Sequence, residues 1–265
     1  MMNFQNFNYL QYQEVNKQQS TLIPEDWNFK YDTNYTLILE HVSDELGNTY
    51  LNIIKKNFNK FYESNLDILK NICNLNDKYG KTNKYQMGDF MICSPTNMRY
   101  LAQTLFILED MKKYNLNNID IIEIGGGYGG LCFFVHNIAP LYEININSYT
   151  IFDLLEPSLL QEKYLNALNI DNVQFYQIDN FKNLKNNSFL ISNYAFSELT
   201  KELQNEYTEK IINPYTKFGF LAWNFIPVYN FVENSIIEEN SQYRELEGEC
   251  YVRYYPSNSN TNISL

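Results

Sequence analysis

The stretch NIDIIEIGGGYGG, residues 118–130, is an apolar run that ends abruptly in glycine. Five of the chain's ten glycines fall between Gly125 and Gly130. The apolar run predicts a buried strand over Ile119–Ile124, and Leu131–Ile138 predicts the helix that follows it. A glycine turn at this junction lets the backbone pass close to a ligand and directs the first amides of the helix at it. The stretch therefore predicts an α/β fold with a ligand site at the turn.

Strands and helices alternate along the rest of the chain, which is typical of a mostly parallel, doubly wound sheet. Further strands are predicted at residues 148–153, 173–178, 189–193 and 218–225, and helices at 159–168 and 198–212. Two short strands at residues 243–247 and 250–255 are predicted to close the sheet as an antiparallel pair. The predicted fold class is a Rossmann-like α/β domain with an antiparallel last strand, preceded by a helical region.

The N-terminal third has a different character. Residues 1–20 are rich in Asn, Gln and Tyr without helical periodicity, which predicts an irregular tail. A helix is predicted over residues 34–45, ending at Gly47, and a helical run over residues 48–76. The polar stretch Asp77–Asp89 marks a domain boundary. The two predicted domains are the tail and helical cap of residues 1–88 and the ligand-binding domain of residues 89–265.

Composition and charge exclude several classes of function. The net charge of -11 argues against a nucleic-acid partner, because phosphate binding needs a basic face. The chain has no run of 18 apolar residues, and Met1–Ser20 lacks the features of a secretion signal, so we expect no membrane span and a cytoplasmic location. Four scattered cysteines without a C-x-x-C pair predict reduced thiols and no metal site. The sequence leaves the oligomeric state open, with a homo-oligomer as one option.

Two kinds of cofactor compete for the glycine turn. Gly125, Gly127 and Gly130 satisfy the dinucleotide pattern G-x-G-x-x-G, which is weak by itself. Residues 123–129 satisfy E-x-G-x-G-x-G equally well, and Glu123 favours S-adenosylmethionine, because a dinucleotide-binding strand usually ends in an apolar residue there. S-adenosylmethionine carries no phosphate, so the turn needs to cradle none. We therefore predict a class I methyltransferase.

Acidic residues at later strand ends support this choice. Asp153 ends the second predicted strand, where a carboxylate can accept both ribose hydroxyls, and Asp179 ends the third, where it can bind the adenine amino group. Open α/β sheets bind ligands at this carboxyl edge. The predicted contacts of the cofactor, which becomes S-adenosylhomocysteine as product, are Arg99, Glu123, Gly125, Gly126, Gly127, Tyr128, Gly129, Asp153, Leu154, Asp179, Asn180 and Asn193.

Several segments resemble the sugar O-methyltransferase family. They are EIGGGYGGLC at residues 123–132, YTIFDLLEPSLLQEKYL at 149–165 and SNYAFSEL at 192–199, with SPTNMRY at 94–100 before the first strand. The resemblance spans roughly residues 89–224. It implies a class I fold, S-adenosylmethionine as methyl donor, and a hydroxyl of a saccharide or nucleotide-sugar as acceptor. It implies no particular catalytic base.

Three residues are candidates for that base, because a sugar hydroxyl is a poor nucleophile that needs help in losing its proton. Glu198 follows the fourth predicted strand, where the acceptor is expected, although an acid in a first helical turn also favours the helix dipole. His41 lies in the N-terminal region and His136 on the first helix of the sheet. A metal held by Asn193, Glu198 and Asn224 would be a weak site, since only one of the three is an acid.

Other functions stay open at this point. Residues 192–196 lack the proline pair typical of methyltransferases that act on amino nitrogens. The remaining alternatives are a methyltransferase acting on a small molecule other than a sugar, a non-catalytic cofactor-binding partner subunit, and an NAD-dependent oxidoreductase.

Overall fold

The computed structural model of the protein describes residues 4–257. The chain divides into two compact units, each built from several stretches of sequence. The helical unit comprises the described residues up to Glu109, together with Gly127–Leu141 and Leu154–Asp171. The sheet unit comprises Asp110–Gly126, Tyr142–Asp153 and the described residues from Asn172 onward. The chain passes from the sheet unit to the helical unit inside the glycine turn, and the boundary predicted at residue 88 stays a prediction.

Eight helices lie in the helical unit or begin there. They are α1 Phe4–Thr21, α2 Thr33–Thr36, α3 Asp44–Asn57, α4 Asn59–Ser64, α5 Leu66–Asn76, α6 Pro95–Lys113, α7 Gly130–Ile138 and α8 Leu155–Ala167. A short antiparallel hairpin joins β1, Tyr85–Met87, to β2, Met91–Cys93. Pro95 opens α6, where its missing N–H is not needed for a helical hydrogen bond.

The prediction of an irregular tail over residues 1–20 is wrong, because α1 occupies most of that stretch; Met1–Asn3 lie outside the described residues. The buried face of α1 consists of Tyr12, Val15, Asn16 and Gln19, at helical spacing. Two of these four side chains are amides, and Asn16 Nδ2 donates to the carbonyl oxygen of Tyr12 at 2.8 Å. Because polar side chains lie on the buried face of α1, the apolar residues alone do not recur at helical spacing.

The helix predicted over residues 34–45 is also wrong in its extent. Within that stretch α2 ends at Thr36, and the next helix, α3, does not begin until Asp44, where the Ser43 hydroxyl oxygen accepts from the backbone N–H of Leu46 at 3.2 Å. Gly47 lies inside α3 instead of ending a helix. A Cβ at Gly47 would lie 2.8 Å from Cβ of Pro95, so glycine is required there by close packing.

The sheet unit is built on one seven-stranded sheet. Its strands are β3 Asn118–Ile124, β4 Asn145–Phe152, β5 Val173–Tyr176, β6 Ser188–Asn193, β7 Thr216–Trp223, β8 Ser235–Asn240 and β9 Cys250–Pro256. Most of the helix predicted over residues 198–212 is present. After the short α9, Ala195–Glu198, one continuous helical run consists of α10 Lys201–Tyr207, a π-helical segment at Thr208–Ile212 and α11 Asn213–Tyr215. The Thr200 hydroxyl caps α10 by accepting from Leu203 N at 3.4 Å, which separates α9 from α10.

The strand order is β5-β4-β3-β6-β7-β9-β8. The first five strands in this order are parallel, and β9 runs antiparallel to both β7 and β8. The order reverses direction at β3, so β3, β4 and β6 carry their carboxyl ends to the edge where open sheets bind ligands. The expected Rossmann-like α/β fold, a mostly parallel sheet with an antiparallel last strand, is confirmed.

The predicted partner of the last strand is wrong. The strand expected at residues 243–247 is part of a loop, and β9 pairs instead with β8, for example through Ile237 and Tyr254. Gly248, at φ +92°, stands just before β9 in that loop. Strand β8 carries the acids Glu238 and Glu239, which weakened its apolar pattern in the sequence.

The core of the sheet unit contains aliphatic and aromatic side chains from neighbouring strands. It includes Ile122, Ile124, Leu190, Leu221, Trp223, Val252 and Tyr254, all at most 2% exposed. Because these strands are buried on both faces, they read as continuous apolar runs. Among the described residues, no helix is long and apolar enough to cross a membrane.

Candidate functional site

The glycine turn begins where β3 ends. Gly125 has φ +77°, a conformation that other residues rarely adopt, and its N–H donates to the carbonyl oxygen of Phe152 at 2.8 Å. A Cβ added at Gly125 would lie 2.1 Å from Cβ of Ala195, in the segment that follows β6. The first glycine of the turn is therefore required twice, by its backbone angle and by this contact. The turn and the end of β6 meet at the carboxyl edge of the sheet.

Asp153 lies beside the same turn, as the sequence predicts. It follows the last residue of β4, and its own N–H donates to the carbonyl oxygen of Tyr176 at 3.1 Å. Its Oδ2 accepts from the backbone N–H of Gly126 at 3.0 Å. A carboxylate is thus held directly at the glycine turn, on the strand next to it.

Glu123 is enclosed in the sheet. It is 1% exposed, and the hydroxyl of Tyr149 on β4 donates to its Oε2 at 2.8 Å. Burial raises the pKa of the Glu123 carboxyl to about 8, although the Tyr149 hydrogen bond opposes the shift. Between pH 4.5 and about 8, the Glu123 carboxyl therefore keeps its proton in the folded chain, whereas it loses the proton in the unfolded chain.

This pKa predicts a pH dependence of stability. The pKa of the Glu123 carboxyl is about 8 in the folded chain and 4.5 ordinarily. The contribution of the protonated carboxyl to the free energy of unfolding is therefore fully present below pH 4.5 and is lost as the pH rises to about 8. Wild type should lose on the order of 4 kcal/mol of unfolding free energy over this range relative to Glu123→Gln, which cannot ionise. Urea denaturation of both proteins between pH 5 and 8 measures the difference. Parallel stability curves would show that Glu123 titrates normally.

The third predicted acid lies farther from a strand end than expected. Strand β5 ends at Tyr176, and Asp179 lies in the turn that follows, which is closed by the N–H of Asn180 donating to Gln177 O at 3.0 Å. The Asp179 side chain is 82% exposed and lies 3.6 Å from Nζ of Lys210. Asp179 and Asn180 are thus solvent-exposed residues of a loop beyond β5.

The end of β6 carries the candidate base. Glu198 is the last residue of α9, is exposed, and accepts from Nδ2 of Asn224 at 3.0 Å through Oε1. Asn193 ends β6 and is half-buried. Since α9 has only four residues, a helix dipole explains little of the position of Glu198. Within residues 4–257, no group of three or more His, Cys, Asp or Glu side chains is arranged to hold a metal.

The later residues of the turn belong to the helical unit. A Cβ at Gly127, φ +60°, would lie 3.1 Å from Leu39, and a Cβ at Gly129 would lie 3.0 Å from Leu165. Tyr128 is 0% exposed, and its ring lies 4.3 Å from Nζ of the buried Lys30. The Tyr128 side chain is therefore part of an aromatic cluster inside this unit, so any contact with a cofactor would come from its backbone.

The remaining candidates also lie in the helical unit. Arg99 is 5% exposed on α6, whereas Leu154 is 45% exposed just before α8. His41 is exposed between α2 and α3. Nδ1 of His136 lies 2.9 Å from the carbonyl oxygen of Cys132 within α7, and burial lowers its pKa. Neither histidine is placed by these contacts in the edge formed by β3, β4 and β6.

Sequence reasoning missed two residues at this edge: Ala195, which contacts the turn, and Glu249. Tyr194 directly follows β6, where the sequence predicts that it orients the acceptor together with Asn193. The Tyr194 hydroxyl donates to Oε2 of Glu249 at 3.3 Å. Nothing in the sequence marks Glu249, because its position depends on the pairing of β9 with β7.

Comparison with known proteins adds little to this geometry. No protein-family model and no curated protein matches the chain. Among solved structures it is similar to the mitomycin 7-O-methyltransferase MmcR (9% identity, TM-score 0.44, 62% of this chain and 56% of that one). It is also similar to the YcgJ protein from Bacillus subtilis (11%, 0.37, 47% and 51%) and to an S-adenosylmethionine-dependent methyltransferase from Clostridium acetobutylicum (12%, 0.37, 52% and 59%). The chain thus spans only 51–59% of these structures, and likenesses this weak carry no conclusion about activity.

Proposed function

We propose that this protein is an S-adenosylmethionine-dependent methyltransferase. The observation that carries the proposal is the glycine turn at the carboxyl edge of the sheet, where Gly125 leaves room for no side chain and Asp153 binds the N–H of Gly126. A glycine turn at this edge suits a ligand that lies against the backbone. The carboxylate beside it suits the paired hydroxyls of a ribose.

Asp153 supports this cofactor over a dinucleotide. Its Oδ2 already accepts from the N–H of Gly126, so that amide has a carboxylate partner and a pyrophosphate beside it would meet negative charge. S-adenosylmethionine carries a sulfonium, an ammonium and a carboxylate group and no phosphate, so its net charge is positive. The negative charge of Asp153 beside the turn therefore matches the charge of this cofactor.

We propose a hydroxyl of a saccharide or nucleotide-sugar as the methyl acceptor, on the resemblance of the glycine turn and the segments after β4 and β6. S-adenosylmethionine, which the glycine turn and Asp153 would hold, would supply a methyl group activated by its sulfonium. The chain's own contribution is to hold the oxygen close to the methyl carbon, which is worth up to about 7–11 kcal/mol. Glu198 would take the hydroxyl proton, and Asn224 holds its carboxylate in place.

Replacing Asp153 by Ala tests the cofactor site. A hydrogen bond to a charged group is worth about 1.5–3 kcal/mol, so losing a bidentate contact should weaken S-adenosylhomocysteine binding about ten- to several-hundred-fold. Calorimetry measures the dissociation constant, and Asp171→Ala, at an exposed aspartate, serves as the control. An unchanged dissociation constant in a folded Asp153→Ala protein would remove Asp153 from the site.

A further inference from the structure

Tyr194 has an unusual backbone for an aromatic residue. Its φ is +67° and its ψ is -33°, at the position directly after β6. Bulky side chains rarely adopt positive φ, and such residues cluster at functional sites. Three hydrogen bonds hold the conformation: Tyr194 N–H donates to Ala222 O at 3.0 Å, while its carbonyl oxygen accepts from the Ser197 hydroxyl at 2.8 Å and from Glu198 N at 3.2 Å. The chain keeps this angle because its surroundings impose it.

This conformation directs the tyrosine side chain to Glu249. Glu249 is 7% exposed and lies one residue before β9. Its Oε2 accepts from the Tyr194 hydroxyl at 3.3 Å and from the N–H of Leu246 at 3.0 Å. Two donors thus fix the orientation of the Glu249 carboxylate. Because this acid is buried, the hydrogen bonds compensate for the water that it loses on folding.

Glu249 lines a cleft of about 200 Å³ at the carboxyl end of β7. The lining also includes Phe225, which is 58% exposed, and Ile226, which is 40% exposed. Glu239 and Arg244 contribute charged groups to the lining. Gly248 also lines the cleft, and a Cβ there would lie 3.3 Å from the Phe225 ring. The cleft therefore combines an exposed aromatic ring with acceptor and donor side chains.

The cleft is linked by short steps to the site already described. Phe225 directly follows Asn224, whose amide donates to Glu198, and the Phe225 N–H donates to Oδ1 of Asn224 at 3.0 Å. On the other side, Tyr194 precedes Ala195, which lies against Gly125. The same short segment after β6 thus contacts both the glycine turn and the cleft.

The lining favours a neutral saccharide as occupant. A sugar ring offers an apolar C–H face that can lie on an aromatic ring, and hydroxyls that donate to carboxylates and accept from a guanidinium. Two carboxylates stand in the lining against one guanidinium, so a phosphate group would meet net repulsion there. A saccharide unit without phosphate matches all three kinds of group.

We propose that this cleft binds the acceptor as one neutral saccharide unit, with its ring on Phe225 and a hydroxyl on Glu249, and that Tyr194 is a positioning residue that fixes Glu249. The proposal rests on the proposed methyltransferase function and narrows its acceptor to the saccharide portion.

Saturation-transfer NMR on the full chain with S-adenosylhomocysteine tests the proposal. The probes are glucose, galactose, mannose, rhamnose and N-acetylglucosamine, with catechol and uridine diphosphate for comparison. At least one sugar should show transfer in wild type. Glu249→Gln and Phe225→Ala should each weaken that sugar's binding by about tenfold or more, while Ile236→Ala, at an exposed residue of β8, should not. Tyr194→Phe should weaken sugar binding without changing the affinity for S-adenosylhomocysteine.

Several results would overturn the proposal. These are full sugar binding in both the Glu249 and Phe225 variants, transfer to catechol or uridine diphosphate alone, and transfer to none of the probes. Affinity for S-adenosylhomocysteine is measured separately in each protein. If that affinity is intact and the sugars fail, only the assignment of the cleft is lost; if wild type does not bind S-adenosylhomocysteine, the methyltransferase proposal itself fails.

Discussion

Glu198→Gln is expected to slow methyl transfer by about 10²–10⁴-fold and to leave the affinity for S-adenosylhomocysteine unchanged. Glutamine keeps the shape and an oxygen that can still accept from Asn224, as Oε1 of Glu198 does at 3.0 Å. It cannot take the proton of the acceptor hydroxyl. The loss should therefore appear in the rate of the chemical step, measured in single turnovers with saturating donor and acceptor.

The matched control is Glu202→Gln, at an exposed acid in the first turn of α10. If Glu198 has only a structural role, as the partner of Asn224, both variants should lose at most about 1 kcal/mol of stability and keep their turnover. Full activity of Glu198→Gln would rule out the base role. His41 and His136 would then be the next residues to replace.

Gly125→Ala is expected to abolish measurable binding of S-adenosylhomocysteine. The new Cβ would lie 2.1 Å from Cβ of Ala195, a distance that no packing tolerates, so the turn or the segment after β6 must move. The angle of φ +77° adds about 1–2 kcal/mol for any residue with a side chain. Calorimetry measures the binding, and circular dichroism checks that the variant is folded.

A second substitution separates the two effects. In Gly125→Ala with Ala195→Gly, the nearest remaining atom is Cα of residue 195 at 3.6 Å, which is ordinary van der Waals contact. Binding should return, reduced about tenfold by the backbone strain alone. Normal affinity of Gly125→Ala for S-adenosylhomocysteine would show that the turn does not hold the ligand. If the double variant fails to bind as the single variant does, the contact with Ala195 is not the cause of the lost binding.

Local patterns predicted the parts of the fold that local forces determine. Strand β3, the glycine turn and α7 were predicted from one apolar run and the glycines at its end. The errors arose where packing overrides the local pattern. Helix α1 buries Asn16 and Gln19, so its buried face is not apolar, and β8 pairs with β9 across a loop that no short-range pattern identifies.

The candidate site, like the fold, contains residues that the sequence predicts and residues whose positions depend on packing. Asp153 lies at the turn because the carboxyl ends of parallel neighbours meet at one edge, which follows from strand order alone. Asp179 does not end its strand, since β5 stops at Tyr176 and a turn intervenes. Glu249 could not be predicted, because its position depends on the antiparallel pairing of β9 and on the strained backbone of Tyr194.

The most direct test of the central claim is calorimetry of the purified full chain with S-adenosylhomocysteine and, separately, with NAD⁺. The methyltransferase proposal predicts saturable, one-to-one binding of S-adenosylhomocysteine, lost in Gly125→Ala and weakened in Asp153→Ala, with no heat from NAD⁺. Binding of NAD⁺ without binding of S-adenosylhomocysteine would contradict it.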